Sequence, residues 1–418
     1  MKIKDLYHLY ALHFLVDTDT RKIRKNTLFF GLKGAHFNGN EFAEKALELG
    51  ASYAIVDEEK YATQQQIILV NDVLKTLQEL ANYHRNIVKI PIIGITGSNG
   101  KTTSKELIHA VLSKKYRTTA TEGNLNNHIG VPLTLLSMTP KTEIGIVEMG
   151  ANHQKEIQFL CTLCEPDFGY ITNFGKAHLE GFGGLAGVIK GKSELYDFLE
   201  KNKKTAFINP QDSLQEEKTK NTTRHFFPAH LKFLKANPFV KISFDETQIE
   251  SQLIGNYNYS NIAIAATIGA HFKVSTDNIK KAIENYIPNN NRSQIIKKDS
   301  NRIVLDAYNA NPSSMKVAVE NFKMIDKNRK TVILGDMFEL GATQLEEHQA
   351  IVDIVEKLGF DNVYFVGELF FKTKANSMLF KNFEELFTKL KTNPLKNQSI
   401  LIKGSRGMQL ERLLEVIN

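Results

Sequence analysis

Residues 96–103 read TGSNGKTT, and this run carries the side chains best suited to chemistry. The stretch before it, residues 90–96, is apolar and β-branched without helical spacing, so it reads as a short buried strand. Gly97 and Gly100 break that strand, and a helix follows. Such a turn, with Ser98 and Asn99 at its tip, converges several backbone N–H groups on one spot before a helix N-terminus, where partial positive charge favours a phosphate. Lys101 would reach the β and γ phosphates, the Thr102 hydroxyl would ligate Mg²⁺, and Thr103 completes the turn. The chemistry is nucleotide binding with phosphoryl transfer. The general pattern G-x-x-x-x-G-K-[ST] is met incompletely, because Ile95 stands where its first glycine belongs and Gly94 is one residue early. An ordinary strand-to-helix turn with a solvated lysine would leave the same short motif.

Other polar residues fall where open α/β sheets bind ligands. An apolar strand over 144–147 delivers Glu148 to its carboxyl end. A second strand, FGYITN, ends at Asn173 and leads into a Gly-rich loop holding His178. Glu148 and His178 make an oxygen and nitrogen pair for a second Mg²⁺, although Mg²⁺ favours oxygen and a lone His is commonly structural. Asn124, Asn126, Asn127 and His128 lie within residues 121–136, a cluster too polar for a core strand and therefore a loop held against something. Lys190 and Lys192 lie on a helix, GVIKGKSELYDFL, and read on their own as solvated lysines. Towards the C-terminus, the strands RIVLDA, TVILGD, NVYFVG and SILIKG end at Asp306, Asp336, Gly367 and Lys403.

The elements that must position these groups alternate between strand and helix, which predicts an α/β protein built on doubly wound sheets. With 418 residues there is room for two to four cores. We place boundaries at 1–87, a small α/β domain; 88–290, a central P-loop domain; and 291–418, a Rossmann-like domain. Residues 209–253 turn polar and irregular, as an edge hairpin or exposed insertion would. The segment LIGNYNYSNIAIAATIGAHF reads as a helix with small residues on one face. No apolar run reaches the roughly 18 residues that span a bilayer. The opening MKIKDLYHLYALHFLVD carries His8 and His13 and lacks a small-residue cleavage site, so it reads as an amphipathic helix rather than a signal peptide. Cys161 and Cys164 sit three apart on a helix and read as core packing; a reducing cytoplasm suits free thiols and ATP. The net charge of +7 is spread without a basic block, which argues against nucleic acid and fits an enzyme of anionic substrates.

TGSNGKTT resembles the ATP loop of the Mur ligases of peptidoglycan synthesis and their folylpolyglutamate relatives. The resemblance continues elsewhere. Asp19, Thr20 and Arg21, followed by LFFGLKG and FNGN, look like the first domain of family members that take a UDP-linked muramoyl peptide, which implies substrate contacts from these three residues and from Lys33, Gly34 and Asn40. The Asn-rich loop matches a family stretch beside the γ-phosphate and the muramoyl substrate. Glu148 and His178 match family metal ligands. Lys192, with Lys190 as fallback, matches a lysine carbamylated in several members, which converts a cation into a metal-binding anion. Asn258 and Asn261 match asparagines facing adenine and phosphates, whereas Tyr257 replaces a usual His. Arg292 looks like the arginine that meets the ATP phosphates once the last domain closes.

LDAYNANPSSM, LGDMFELG with His348 beyond it, and KGSRGMQLE resemble the branch of the family that adds D-alanyl-D-alanine to UDP-N-acetylmuramoyl-tripeptide. Leu305 stands where that branch often has a first Asp. The branch implies ribose contact by Asp306, base contact by the loop from Tyr308 to Pro312 with Tyr308 and Asn309 foremost, and substrate contacts by Asp336, Lys403, Ser405 and Arg406. It implies ATP and Mg²⁺ as cofactors; a monomer in the cytoplasm is the expected form, although the sequence does not reveal the oligomeric state. A folylpolyglutamate-type ligase would lack the Asp19 to Arg21 signature, and a P-loop ATPase would consume no amine.

Overall fold

A computed structural model of the chain describes residues 1–325 and 329–417. The central sheet has six strands, all parallel, in the order Thr223–Phe226, Thr205–Ile208, Phe168–Ile171, Ile92–Thr96, Ile144–Glu148, Thr118–Ala120. Every residue of Ile92–Thr96 and Ile144–Glu148 is buried, as strands covered on both faces require. Because the strands are parallel, Thr96, Ala120, Glu148 and Ile171 all end at one edge. The loops that follow these residues hold the expected chemistry.

Two flanking sheets repeat the scheme. Val16–Asp17, Leu28–Phe30, Tyr53–Val56 and Ile67–Leu69 form a four-stranded parallel sheet, with a small hairpin of Lys33–Gly34 and Phe37–Asn38 beside it. The opening amphipathic helix is real but short, Ile3–Tyr10, and packs on the helix Val73–Val88. The C-terminal sheet runs Gln294–Lys298, Asn301–Asp306, Ser399–Lys403, Lys330–Gly335, Asn362–Val366, Met378–Phe380, and only its first edge strand is antiparallel.

Residues 209–253 are more ordered than their composition suggests. They hold the edge strand of the central sheet and most of an antiparallel meander, Lys232–Ala236, Phe239–Phe244, Thr247–Ile254. Alternate residues Val240, Ile242 and Phe244 point into one apolar cluster with Ile262, Ile279 and Ile283, while the other face stays polar. That one-sided burial is why the segment reads as irregular. Cys161 and Cys164 are buried with their Sγ atoms 3.9 and 3.8 Å from Met149 Sδ, in agreement with core packing. Ile254, Val304, Ala318 and Phe322 meet where the end of the meander adjoins the C-terminal segment.

Candidate active site

The phosphate loop is fixed by sterics as much as by sequence. Gly97 has φ +135° and a Cβ there would lie 2.0 Å from Thr172 Oγ1; Gly100 has φ +80° and would meet Asn261 Oδ1 at 2.6 Å. No L side chain fits either position. Asn173 holds the loop from the neighbouring strand. Its carbonyl accepts from Ser98 N at 3.0 Å, its Oδ1 accepts from Asn99 N at 3.2 Å, and its Nδ2 donates to Asn99 O at 3.0 Å. The helix Lys101–Leu112 then begins, with Lys101 Nζ donating to Gly97 O at 2.7 Å. Burial lowers the Lys101 pKa; Glu148 opposes that shift and Arg292 adds to it, so all three charges share one space.

That space is a cavity of about 900 Å³, lined by the loop, by Asn124, Asn126, Asn127 and His128, by Glu148 and His178, and by Asn258 and Asn261. Arg292, Asp306, Tyr308, Asn309 and Lys403 complete it from the C-terminal segment. Glu148 is 1% exposed; its Oε1 accepts from Asn126 Nδ2 at 2.8 Å, while Oε2 is buried without a hydrogen-bond partner among the described residues. A buried carboxylate oxygen left in this state is costly unless a cation meets it. The acid and the nearby Thr102 hydroxyl, which also lines the cavity, are the oxygen donors Mg²⁺ prefers.

Lys192 and Lys190 separate cleanly. Lys190 is exposed, whereas Lys192 is 1% exposed, donates to Ala151 O at 3.1 Å and lies over the Phe182 ring. Burial, helped by Lys101, holds the Lys192 pKa well below the ordinary lysine range. The neutral amine is the form that can attack CO₂. His178 has its Nδ1 facing the Glu339 carboxylate. Both residues adopt left-handed backbone, φ +52° and +64°, which non-glycine residues seldom hold without a reason elsewhere.

Asn258 and Asn261 form a buried chain. Asn258 Nδ2 donates to Ile254 O, Asn261 Nδ2 to Asn258 Oδ1, and Asn261 Oδ1 accepts from Ser104 Oγ of the phosphate-loop helix. Asp306 and Lys403 end adjacent strands and pair at 2.7 Å, with Lys403 also donating to Asn309 O. Lys403 is 2% exposed and so helps to build the wall it lines. Arg292 lies 3.9 Å over the Tyr308 ring and Arg406 5.2 Å from the same ring. Ser405 Oγ accepts from Phe338 N at 3.1 Å, tying two loops together beside the cavity.

Two expected contacts find other employment. Asp336 is 3% exposed and accepts from Leu369 N and Phe370 N, both at 2.9 Å, so its oxygens cap a backbone turn, and it is not among the residues lining the main cavity. Asn40 is fully buried; its amide bonds Asn38 and Asp57 on one side and Asp57 N on the other, which fixes the first domain internally. The remaining first-domain residues lie away from the main cavity. Asp19 pairs with its neighbour Arg21, which holds its carboxyl at about 2, and Thr20 opens the short turn between them. Lys33 pairs with Asp57 and Glu58 and lines a separate shallow pocket with Gly34 and Phe37.

Several further residues are joints whose partners the sequence does not mark. Asn311 Nδ2 donates to Asn99 Oδ1 at 2.8 Å, linking the C-terminal segment to the phosphate loop. Lys176 accepts the same task twice, its N–H donating to Ser313 Oγ at 2.9 Å and its Nζ pairing with Glu347 at 2.6 Å. Asn311 lay inside the NANP motif, but nothing marked it as a partner of Asn99, 212 residues away.

Comparison with known proteins agrees with this geometry. Residues 12–90 match the Mur ligase family catalytic domain, 95–269 the Mur ligase middle domain, and 291–406 the Mur ligase glutamate ligase domain. The chain belongs to the Mur ligase family, whose members are ATP-dependent ligases. It is 34% identical to the UDP-N-acetylmuramoyl-tripeptide–D-alanyl-D-alanine ligase of Bacillus subtilis, covering 96% of this chain and 92% of that one. The Escherichia coli ligase of the same name is also 34% identical, with 96% and 93% covered. A crystal structure of the MurF ligase of Thermotoga maritima with ADP superposes with a TM-score of 0.83 at 26% identity, covering 96% of both chains.

Proposed function

We propose that this chain joins D-alanyl-D-alanine to UDP-N-acetylmuramoyl-tripeptide, with ATP, in the assembly of peptidoglycan precursors. The observation that carries this reading is one cavity into which the phosphate loop, the lone oxygen of Glu148 and the C-terminal residues Arg292, Asp306 and Tyr308 all open. A carboxylate resists an amine because its charge repels the nucleophile and oxide leaves poorly. Transfer of the γ-phosphoryl group to the terminal carboxylate of the tripeptide gives an acyl phosphate. The amine of the dipeptide then displaces phosphate.

Phosphoryl transfer asks mainly for alignment and charge neutralisation. Lys101 from the phosphate loop and Arg292 from the C-terminal segment would supply positive charge to it. Thr102 and Glu148 would hold Mg²⁺, with His178 once it leaves Glu339 and with Lys192 as a carbamate, the ion offsetting charge on the phosphates. Asp306 would take the ribose, Tyr308 and Asn309 with Asn258 and Asn261 the base and phosphates. Asn124, Asn126, Asn127 and His128 would flank the reacting carboxylate. Asp19, Thr20, Arg21, Lys33 and Gly34 would receive the UDP moiety, and Ser405 and Arg406 the dipeptide.

Mass spectrometry of the product from ATP, D-alanyl-D-alanine and UDP-muramoyl-tripeptides tests the reading. The expected mass is the sum of the two substrates less one water. Phosphate release that proceeds equally without the dipeptide would overturn it. Acid treatment followed by bicarbonate should remove and restore activity through Lys192; an unchanged rate would discard the carbamate.

A further inference from the structure

Glu106 takes no part in the chemistry above, yet it stands one turn beyond Lys101 on the helix that the phosphate loop opens. Its carboxylate meets the segment joining the central and C-terminal sheets. Tyr286 donates its hydroxyl to Oε2 at 2.5 Å, and Asn290 Nδ2 donates to Oε1 and Oε2, both at 3.1 Å. Lys105 Nζ lies 3.8 Å from Oε1 and donates to Thr121 O at 2.7 Å on the opposite side. One side chain of the phosphate-loop helix thus grips the joining segment at two points.

The gripped segment ends in Arg292, and its backbone is held against preference. Asn291 and Ser293, on either side of the arginine, have φ +55° and +51°. Such conformations persist only where surroundings over-determine them. From the far side, Ser293 N donates to Asp306 Oδ1 at 3.1 Å, Ser293 Oγ bonds the Tyr257 hydroxyl at 2.6 Å, and Tyr308 N donates to Asn291 O. Arg292 is left with one face on Tyr308 and a buried Nε without a partner among the described residues. The near side depends on Glu106.

We infer that Glu106 is a positioning residue: through Asn290 and Tyr286 it sets Arg292 in register with Lys101, so that the two cations meet one polyphosphate. The inference rests on the ATP-dependent reading of the cavity. Its consequence is that the arginine belongs mechanically to the phosphate loop although it lies beyond the central sheet. The electrostatic coupling of Arg292 to both Lys101 and Tyr286 agrees with that placement.

Binding of a non-hydrolysable ATP analogue with Mg²⁺, measured by calorimetry on the full chain, tests this without any amide chemistry. Glu106→Ala should weaken binding about tenfold, and Arg292→Ala by at least as much. The decisive measurement is the double variant. Its affinity should match Arg292→Ala to within about twofold, because Glu106 acts through that arginine. Losses that multiply, or a Glu106→Ala variant that binds like the parent, would overturn the proposal. If Glu106→Ala does not fold, Asn290→Ala and Tyr286→Phe each remove one contact and should each weaken binding by about threefold only while Arg292 is present. Should the parent bind the analogue yet make no dipeptide adduct, the function proposed above fails and this inference stands.

Discussion

Glu148 and Asp336 occupy matching places in two sheets. Each follows or ends a fully buried parallel strand at its carboxyl end, and each is almost wholly buried. Glu148 keeps an oxygen without a partner and opens on the cavity, whereas Asp336 gives both oxygens to backbone N–H groups. Topology brings an acid to the place where α/β sheets bind ligands; the neighbouring loop decides whether it remains available. Here Asp336 serves the fold with both oxygens, while Glu148 keeps one that a cation could meet.

The sharpest way to break this contrast is to neutralise each acid. Glu148→Gln should lower kcat about a thousandfold while leaving the melting temperature unchanged or raised, since it replaces a buried carboxylate oxygen that has no hydrogen-bond partner. A fully active variant would place the acid outside the mechanism. Asp336→Ala should do the reverse, costing about 2 to 4 kcal/mol in urea unfolding with KM values unchanged, because two buried N–H groups lose their acceptor. A change confined to KM would restore it as a substrate contact.

Acid titration gives a smaller, linked effect. His348 is buried beside Asp336; its Nε2 accepts from Met337 N at 3.0 Å and its Nδ1 donates to Gln344 O, so the ring is held neutral. Burial lowers its pKa below the usual 6.5. Between that lowered value and 6.5 the unfolded chain binds more protons than the folded one, so stability rises with pH and is lost on acidification. The loss should reach at most about 1.4 kcal/mol per pH unit, and His348→Gln should flatten this part of the curve. An identical pH profile in the variant would remove His348 from the account. Smallest of all, Lys190→Ala should leave stability within about 0.5 kcal/mol and activity unchanged, in contrast to Lys192 two residues on.

What the sequence made legible was local. The glycines and lysine of the phosphate loop, the strands RIVLDA and TVILGD, and the burial of the Cys161 and Cys164 helix each follow from residues adjacent in the chain. What stayed hidden were partnerships. Asp336 and Asp306 look alike as strand-end acids; Leu369 N and Phe370 N occupy the oxygens of the first, Ser293 N and Lys403 Nζ those of the second, and Asp306 alone of the two lines the cavity. Asn40 resembled a ligand contact until Asp57 took its amide. The meander within 232–254 escaped notice because one polar face masks one apolar face. Glu339 was one letter of LGDMFELG and Glu106 carried no motif at all; their meaning lies in His178, Asn290 and Tyr286.

The boundary between the central and C-terminal sheets is of two kinds along its length. Near the joining segment Ile254, Val304 and Phe322 meet, while at the cavity mouth Asn99 touches Asn311 and Lys176 touches Ser313 and Glu347. Water can stand in for each partner at the mouth with little loss, but not for the oily contact at the pivot. Parting the mouth would therefore exchange polar pairs for water, whereas parting Ile254 from Val304 and Phe322 would expose apolar surface.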